Sequence, residues 1–367
     1  MSAKKYVAPL NVVLCWHMHQ PEYRDPLSGE YIQPWTYLHA IKDYTDMAAH
    51  LEANPKARAV VNFVPLLLEQ IDDYGQNLRA HLEHGTPLKD PLLAALVAVP
   101  SGTGGRADLM RKCLRANAAR LIIPNPPYAQ LAELARCALD NPGAIAYLGE
   151  NYYFDLAVWY QLAWMGETVC RSDLRLAELK AHGHGYSATQ RRLLLSIIAS
   201  QIEGLIPRYR ALAESGRVEL SMTPYAHPIL PLLLDFDAAR EAMPEAPLPQ
   251  GSYPGGQERV RWHLEHGRRV FEHYFGHAPK GCWPSEGGVS SAALKCIADD
   301  GFGWIATGGN VLKNSLRSMQ TDPACLHSAW KLGDLPLHCF FRDDGLSDLV
   351  GFQYKDWHAD DAVANLI

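Results

Sequence analysis

Two histidines one residue apart, His17 and His19, end an apolar stretch in the segment LCWHMHQPEYR at residues 14–24, and Gln20 follows them. If residues 11–16 form a strand of a parallel barrel, the carboxyl end of that strand is where the active site of such folds lies. Side chains alternate along a strand, so both imidazoles would face one pocket. The pattern fits a metal-binding pair or groups that hold a polar substrate such as a sugar; two surface histidines are the structural alternative.

A second strand end lies in SMTPYAHPILPLL at residues 221–233, which carries Tyr225 and His227. Its three prolines restrict the backbone. Taken alone, the stretch fits a rigid structural loop better than a binding site. Its position after a predicted strand makes Tyr225 and His227 candidate binding residues.

A carboxylate beside a large aromatic ring follows the third strand end, in GCWPSEGGVSS at residues 281–291. Burying a charged Glu286 is unfavourable unless the carboxylate is paired or used. The apolar face of Trp283 suits the C–H groups of a sugar ring. The alternative is that Glu286 only stabilises the amino end of the helix that we expect to begin near Ser290.

Several charged groups follow the fourth strand end, in HCFFRDDGLSDLVGFQY at residues 338–354. Arg342, Asp343 and Asp344 suggest a metal site, one half of a carboxylate pair, or an aspartate-rich surface turn. Glycoside hydrolysis with retained configuration uses two carboxyl groups about 5 to 5.5 Å apart. Glu286 and Asp343, from two strands of one barrel, would suit that geometry.

The elements that must position these residues alternate between short apolar strands and helices, which is typical of an α/β fold with a mostly parallel sheet. Residues 75–175 are predicted to be a mostly helical insertion, and Ser187 with Gln190 forms a capping-box pattern at the start of one long helix. The predicted strands are 11–16, 60–65, 218–225, 281–285, 302–307 and 337–342.

The composition narrows the class of protein. Hydrophobic residues make up 48% of the 367 residues and charged residues 20%, as in a globular enzyme. The net charge of −6 and the lack of a basic run argue against a nucleic-acid partner. We expect no signal peptide and no membrane span, and eight scattered cysteines without a Cys-x-x-Cys pair favour a reducing cytoplasm. The oligomeric state has no signal in the sequence.

Four motifs in this order resemble glycoside hydrolase family 57, a retaining family of α-amylases, amylopullulanases and 4-α-glucanotransferases. They are WHMHQP, TPYAHPILPLL, WPSEGGVS and FRDDGLSDLVGF, and the stretches QPWTYLHAIKDYTDMA, VNFVPLLLEQIDDY and YYFDLAVWYQLAW add to the resemblance. The resemblance implies an incomplete (β/α)7 TIM-like barrel followed by a helical region. We therefore expect residues 1–357 to form the catalytic barrel with its insertion. Residues 358–367 then begin a C-terminal helical region that is cut off.

The same resemblance implies roles for single residues. Glu286 matches the family nucleophile, and Asp343 matches the acid/base, with the adjacent Asp344 as the alternative. His17, His19 and His227 match residues that bind the sugar in the first subsite, and Trp283 forms part of its wall. Gln20, Tyr225, Arg342 and Asp344 complete the expected substrate-binding set.

The resulting hypothesis is a retaining hydrolase or glucanotransferase that acts on α-1,4 glucans, with α-1,6 linkages also considered, and needs no metal or cofactor. Starch, glycogen and maltodextrins are the expected substrates. The sequence does not distinguish water from a sugar hydroxyl as the acceptor. Two alternatives stay open: a metal-dependent carbohydrate hydrolase or deacetylase that uses His17 and His19, and a non-catalytic glucan-binding remnant.

Overall fold

A computed structural model of the chain describes residues 12–245, 247–316 and 323–367. These residues divide into two compact units. The first, called the sheet unit, contains the described residues up to His19, then Ala59–Leu66 and Glu219–Ile367; the second, the helical unit, contains Gln20–Arg58 and Leu67–Val218. Residues 1–11, on which the expected lack of a signal peptide mainly rests, lie outside the described ranges.

Seven strands form one sheet in the order β1-β2-β3-β4-β5-β7-β6. The pairs β1 with β2, β3 with β4, β4 with β5, and β5 with β7 are parallel, and β6 pairs antiparallel with β7. β1 and β6 are the two edges, so the sheet is open, as the incomplete (β/α)7 barrel predicts. The strands are β1 Cys15–Met18, β2 Ala59–Phe63, β3 Val218–Met222, β4 Gly281–Cys282, β5 Trp304–Gly308, β6 Trp330–Lys331 and β7 His338–Arg342.

Several features of the sheet differ from the sequence prediction, and β3 and β4 end at Met222 and Cys282, three residues earlier than expected in each case. β1 begins at Cys15 and continues to Met18, so His17 lies inside the strand and not after it. Val12 and Val13 precede the strand and are each 71% exposed, and Asn11 lies outside the described residues. The edge strand β6 was not predicted, because a two-residue segment carries no periodic pattern.

The helical unit consists of helices joined by short turns, and the helix α3 begins with two residues of the sheet unit. Its helices are α1 Trp35–His39, α2 Thr45–Ala53, α3 Pro65–His84, α4 Pro91–Ala94, α5 Gly102–Cys113, α6 Pro126–Asp140, α7 Glu150–Trp164, α8 Glu167–Ser172, α9 Leu174–His182 and α10 Ala188–Glu214. Residues 153–164 of α7 are buried on all sides, as expected for a helix that is apolar around its circumference.

The long helix α10 begins as its sequence predicts. The Ser187 hydroxyl accepts a hydrogen bond from the Gln190 N–H, and the Ser187 N–H donates to the Gln190 side chain, which completes the capping box. Pro207 lies within the helix, and Gly216 adopts a left-handed φ of 71° just after its end. None of the described helices is both long and apolar enough to cross a membrane.

Helices also follow the strands of the sheet unit. They are α11 Leu230–Leu234, α12 Ala239–Ala242, α13 Gly256–Phe275, α14 Ser291–Asp299, α15 Gly309–Ser315, α16 Asp344–Asp348 and α17 Ala359–Leu366. Helix α13 approaches the end of β3 closely at Gly267. A Cβ atom added there would lie 2.8 Å from the Met222 Cε atom, so only glycine fits without a shift. Phe271 and Phe275 of α13 are buried, and the Phe275 ring lies 5.3 Å from the Phe63 ring of β2.

Candidate active site

The three predicted histidines form a cluster at the carboxyl ends of β1 and β3. The ring centroids of His19 and His227 are 4.1 Å apart and stacked, and His17 lies 5.3 Å from His227 and 5.9 Å from His19. The Trp283 ring, just after β4, lies 6.4 Å from His17. Residues that are far apart in the chain therefore meet at the carboxyl-terminal end of the strands, where parallel α/β folds bind ligands.

A buried polar group that the sequence analysis did not select holds His17. Asn62 of β2 pairs in register with His17, and its Oδ1 lies 2.7 Å from the His17 Nδ1. The Thr223 hydroxyl donates to the same Oδ1, and the Asn62 amide donates to the Ser221 hydroxyl. The available signal was the asparagine inside the apolar run VVNFV, where a polar side chain requires partners.

The histidine cluster is held in the neutral state. His17 retains exposed surface, but burial of the rest of its ring lowers its pKa to about 4. Burial likewise lowers the pKa of His19 to about 4, and the neighbouring His227 and His17 add to this effect. Burial also lowers the pKa of His227, against the opposing influence of the Glu286 carboxylate. Neutral imidazoles both donate and accept hydrogen bonds, which suits hydroxyl groups.

Glu286 sits in a strained turn directly after β4. Its φ of 55° is left-handed, and His227 at φ 61° is the other described non-glycine residue with a positive φ. The Glu286 Oε1 lies 3.9 Å from the His227 Nδ1; the Glu286 side chain is 73% exposed and that of His227 is 9% exposed. Such strain is concentrated at functional sites, where the surrounding structure imposes it.

The turn is anchored through its backbone and does not cap the next helix. The hydroxyl of the buried Thr307 in β5 donates to the Gly287 carbonyl over 2.5 Å. Ser290 caps α14, because its hydroxyl accepts from the Ala293 N–H. The side-chain hydrogen bond that caps α14 therefore comes from Ser290 and not from Glu286.

The two aspartates after β7 differ in how their oxygens are used. Asp344 accepts from the Arg342 Nε over 2.7 Å and from the Asn310 N–H over 3.2 Å. Asp343 caps α16, and its Oδ1 accepts from the Leu346 N–H over 2.9 Å. Both oxygens of Asp344 are thus engaged, whereas this bond engages one oxygen of Asp343.

The sheet order relates the two carboxylate turns. β5 lies between β4 and β7, and Gly308 at the end of β5 is in register with Arg342 at the end of β7. Neighbouring strands are about 4.8 Å apart, so the ends of β4 and β7 are separated by roughly 10 Å. Glu286 and Asp343 therefore follow two strands that are separated by one strand, and both lie at the carboxyl-terminal end of the sheet.

Two predicted binding residues have other surroundings. The Tyr225 N–H donates to the His263 carbonyl, and the Tyr225 ring contacts the rings of Trp262 and His266 on α13. Gln20 belongs to the helical unit, where it donates to the Tyr44 hydroxyl and accepts from the Tyr23 hydroxyl. The Tyr225 ring thus packs against α13, and Gln20 takes part in a hydrogen-bond network of the helical unit.

A metal site was the competing interpretation of the paired histidines. Among the described residues, no group of three or more histidine, cysteine, aspartate or glutamate side chains is placed to hold a metal ion.

Comparisons with known proteins identify the family. Similar solved structures include an alpha-amylase from Thermotoga maritima (TM-score 0.48, 12% identity, 92% of this chain and 46% of that chain). They also include a GH57-type branching enzyme from Pyrococcus horikoshii (TM-score 0.42, 15% identity, 91% of this chain and 47% of that chain). A GH57 branching enzyme from Thermococcus kodakaraensis is similar as well (TM-score 0.46, 15% identity, 93% of this chain and 49% of that chain). The chain spans about half the length of these proteins. A search of curated proteins gave no match. Residues 13–367, nearly the whole chain, match the model of glycosyl hydrolase family 57, and the chain therefore belongs to this family.

Proposed function

We propose that the chain carries the catalytic site of a retaining glycoside hydrolase or glucanotransferase that acts on α-glucans. The single observation that supports this most strongly is the strained pair of Glu286 and His227 beside two further neutral histidines. The strained turn exposes the Glu286 carboxylate beside neutral histidines that can hydrogen-bond to hydroxyl groups. This arrangement fits a nucleophile that attacks a bound sugar. Family membership supplies the reaction class.

In the proposed first step, a Glu286 carboxylate oxygen bonds to the anomeric carbon while the glycosidic C–O bond breaks. Asp343 gives its proton to the leaving oxygen. In the second step, Asp343 takes a proton from water or from a sugar hydroxyl, whose oxygen attacks the anomeric carbon and releases Glu286. Two inversions return the α configuration.

The remaining site residues hold the sugar in this proposal. His17, His19 and His227 exchange hydrogen bonds with its hydroxyl groups, and Trp283 covers one face of the ring. Asp344 and Arg342, which are paired with each other, shape the turn that presents Asp343. Tyr225 and Gln20 stay as proposed substrate contacts.

The proposed substrates are starch, glycogen and maltodextrins, with α-1,4 linkages first and α-1,6 linkages second, and the proposed location is the cytoplasm. We assign no cofactor. The ratio of hydrolysis to transfer depends on which acceptor reaches the glycosyl-enzyme.

The test is product analysis after incubation with maltoheptaose, with and without EDTA. We expect shorter maltodextrins with initial α configuration by NMR, no effect of EDTA, and loss of all products in Glu286→Gln. The exposed Glu265 of α13 provides the matched control, since Glu265→Gln changes the same functional group away from the site. Turnover retained in Glu286→Gln, or abolished by EDTA, contradicts the proposal, and glucan binding by the wild type without any turnover favours the binding role.

A further inference from the structure

Asn62 is a fully buried amide whose hydrogen bonds run to side chains of the active-site edge. It is 0% exposed in β2, and its partners Ser221 and Thr223 in and after β3 are also 0% exposed. A buried amide without partners would destabilise the fold, so such networks are well satisfied where they occur. This network reaches the active site through one bond, from Asn62 to His17.

The orientation of the Asn62 amide determines which nitrogen of His17 carries the proton. The Asn62 amide nitrogen donates to the Ser221 hydroxyl over 3.1 Å, which orients its Oδ1 toward Thr223 and His17. An amide oxygen only accepts, so the His17 Nδ1 must carry a proton. A neutral imidazole has one N–H, and the His17 Nε2 is then left with a lone pair.

The groups around His17 keep it in this neutral form. Burial disfavours a positive charge on its ring most strongly, and the neighbouring His227 adds to this effect, whereas the hydrogen bond to Asn62 and the Glu286 carboxylate oppose it and lower its strength without reversing it. His19 offers a contrast within the same cluster, because its buried Nδ1 has no hydrogen-bond partner among the described residues. One imidazole has a fixed tautomer and its neighbour does not.

We propose that Asn62 is a positioning residue that holds His17 as the Nδ1–H tautomer, so that Nε2 accepts a hydrogen bond from a substrate hydroxyl. The identity of that hydroxyl as part of a glucosyl unit rests on the proposed function. The tautomer does not, because it follows from contacts within the protein alone.

The first experiment is ¹⁵N NMR of histidine-labelled protein near pH 7 without substrate. The ¹⁵N shifts of His17, assigned by its loss in His17→Gln, should show a protonated Nδ1 and an unprotonated Nε2. A His17 that carries its proton on Nε2 overturns the proposal, because it requires the Asn62 amide to be turned over. This readout is independent of whether the protein acts on glucans.

The second experiment compares Asn62→Asp with Asn62→Leu. The aspartate keeps an acceptor opposite Nδ1, so it should retain the tautomer and raise the His17 pKa, because a carboxylate stabilises the imidazolium. The leucine removes the acceptor, so His17 should populate both tautomers. In Asn62→Leu, turnover of maltoheptaose should fall about 3- to 10-fold, which corresponds to the loss of one hydrogen bond.

Asn77 is the matched control for both variants. It is also buried, and its side chain donates to the Pro87 carbonyl and accepts from the Lys89 N–H within the helical unit. Asn77→Leu should destabilise the protein to a similar extent without altering the His17 shifts. An Asn62→Leu protein that is folded and keeps a pure Nδ1–H tautomer contradicts the proposal. A wild type with the expected tautomer but no glucan turnover contradicts the proposed function alone.

Discussion

Carboxylates in the two units of the molecule are held in opposite ways. In the helical unit, Asp90 is 2% exposed and accepts from the Tyr74 hydroxyl and from the N–H groups of Leu92 and Leu93. In the sheet unit, the Glu286 side chain is 73% exposed, and its ionic partner His227 is 3.9 Å away. The structural carboxylate is fixed through its oxygens, whereas Glu286 is fixed through its backbone and keeps its oxygens accessible to a substrate.

The two aspartates after β7 repeat this contrast over adjacent positions. Asp344 resembles Asp90, because hydrogen bonds from Arg342 and the Asn310 N–H use both of its oxygens. Asp343 has one oxygen bonded to the N–H of Leu346 as a helix cap. The comparison supports Asp343, and not Asp344, as the proposed acid/base.

The largest expected effect comes from separating these two aspartates by substitution. Asparagine caps helices as well as aspartate does, so Asp343→Asn should keep α16 while lowering turnover of maltoheptaose about 10²- to 10⁴-fold. The loss in kcat/KM, which reports the first step, should be much smaller with an aryl maltoside, whose leaving group needs no proton. Asp344→Asn breaks an exposed ion pair, worth about 0–1 kcal/mol, and should change turnover less than tenfold. A larger loss in Asp344→Asn would reverse the two roles.

The next effect concerns the free energy of unfolding, which should depend on pH with opposite signs for Asp90 in the helical unit and for His19 in the sheet unit. Burial raises the pKa of Asp90 to about 6, despite its three hydrogen bonds, whereas the unfolded chain has a value near 3.9. Between about pH 4 and 6 the native state binds a proton that the unfolded state has lost. The free energy of unfolding therefore falls by roughly 3 kcal/mol as the pH rises through this window. Asp90→Asn should remove that contribution in urea titrations; parallel wild-type and variant curves from pH 4 to 7 would contradict it.

The histidine cluster supplies the internal reference for this measurement. The pKa of His19 is lowered to about 4, so between about pH 6.5 and 4 the unfolded state binds the extra proton. Its contribution to stability is present above pH 6.5 and is lost as the pH falls. His19→Gln should therefore change the pH slope in the direction opposite to Asp90→Asn.

The sequence predicted the site where its signals are local. Four strand ends that carry histidine or carboxylate residues can be identified from the local sequence alone. In the structure, His17, His19, His227 and Trp283 lie in one cluster. The role of Asn62 was not readable, because its partners Ser221 and Thr223 are about 160 residues away and only the sheet brings them together.

Errors arose where a local pattern competes with pairing or orientation. Val12 and Val13 have high strand propensity, yet β1 begins at Cys15, since propensity does not specify where a partner strand begins. The expected strand 218–225 ended with Tyr225, but β3 ends at Met222 and the Tyr225 ring packs against α13, because the proline after Thr223 turns the chain and side-chain direction beyond it has no periodic signal. The left-handed φ of Glu286 is likewise a product of the surrounding turn.

A smaller effect tests whether the backbone anchor of Glu286 serves the reaction. Thr307→Val removes the hydroxyl that bonds to the Gly287 carbonyl, and Thr45→Val in the helical unit removes a matching buried bond to the Ala40 carbonyl. Each should lower the free energy of unfolding by about 1 to 3 kcal/mol, because a carbonyl loses its partner. Only Thr307→Val should also lower turnover, by roughly tenfold or more, through displacement of the carboxylate. Equal turnover in the two variants would show that the anchor is structural alone.

The smallest effect tests the strain itself, with two substitutions that both remove the carboxylate. A left-handed conformation costs a non-glycine residue about 1 to 2 kcal/mol, and glycine avoids that penalty while losing more entropy on folding. Glu286→Gly should therefore be more stable than Glu286→Ala by about 0.5 to 1 kcal/mol in urea unfolding. At Glu265, an exposed position inside α13, the order should reverse, because glycine is about 1 kcal/mol worse than alanine within a helix. If alanine is the more stable residue at both positions, the turn does not strain Glu286, and the contrast between a carboxylate held by its backbone and one held by its oxygens fails.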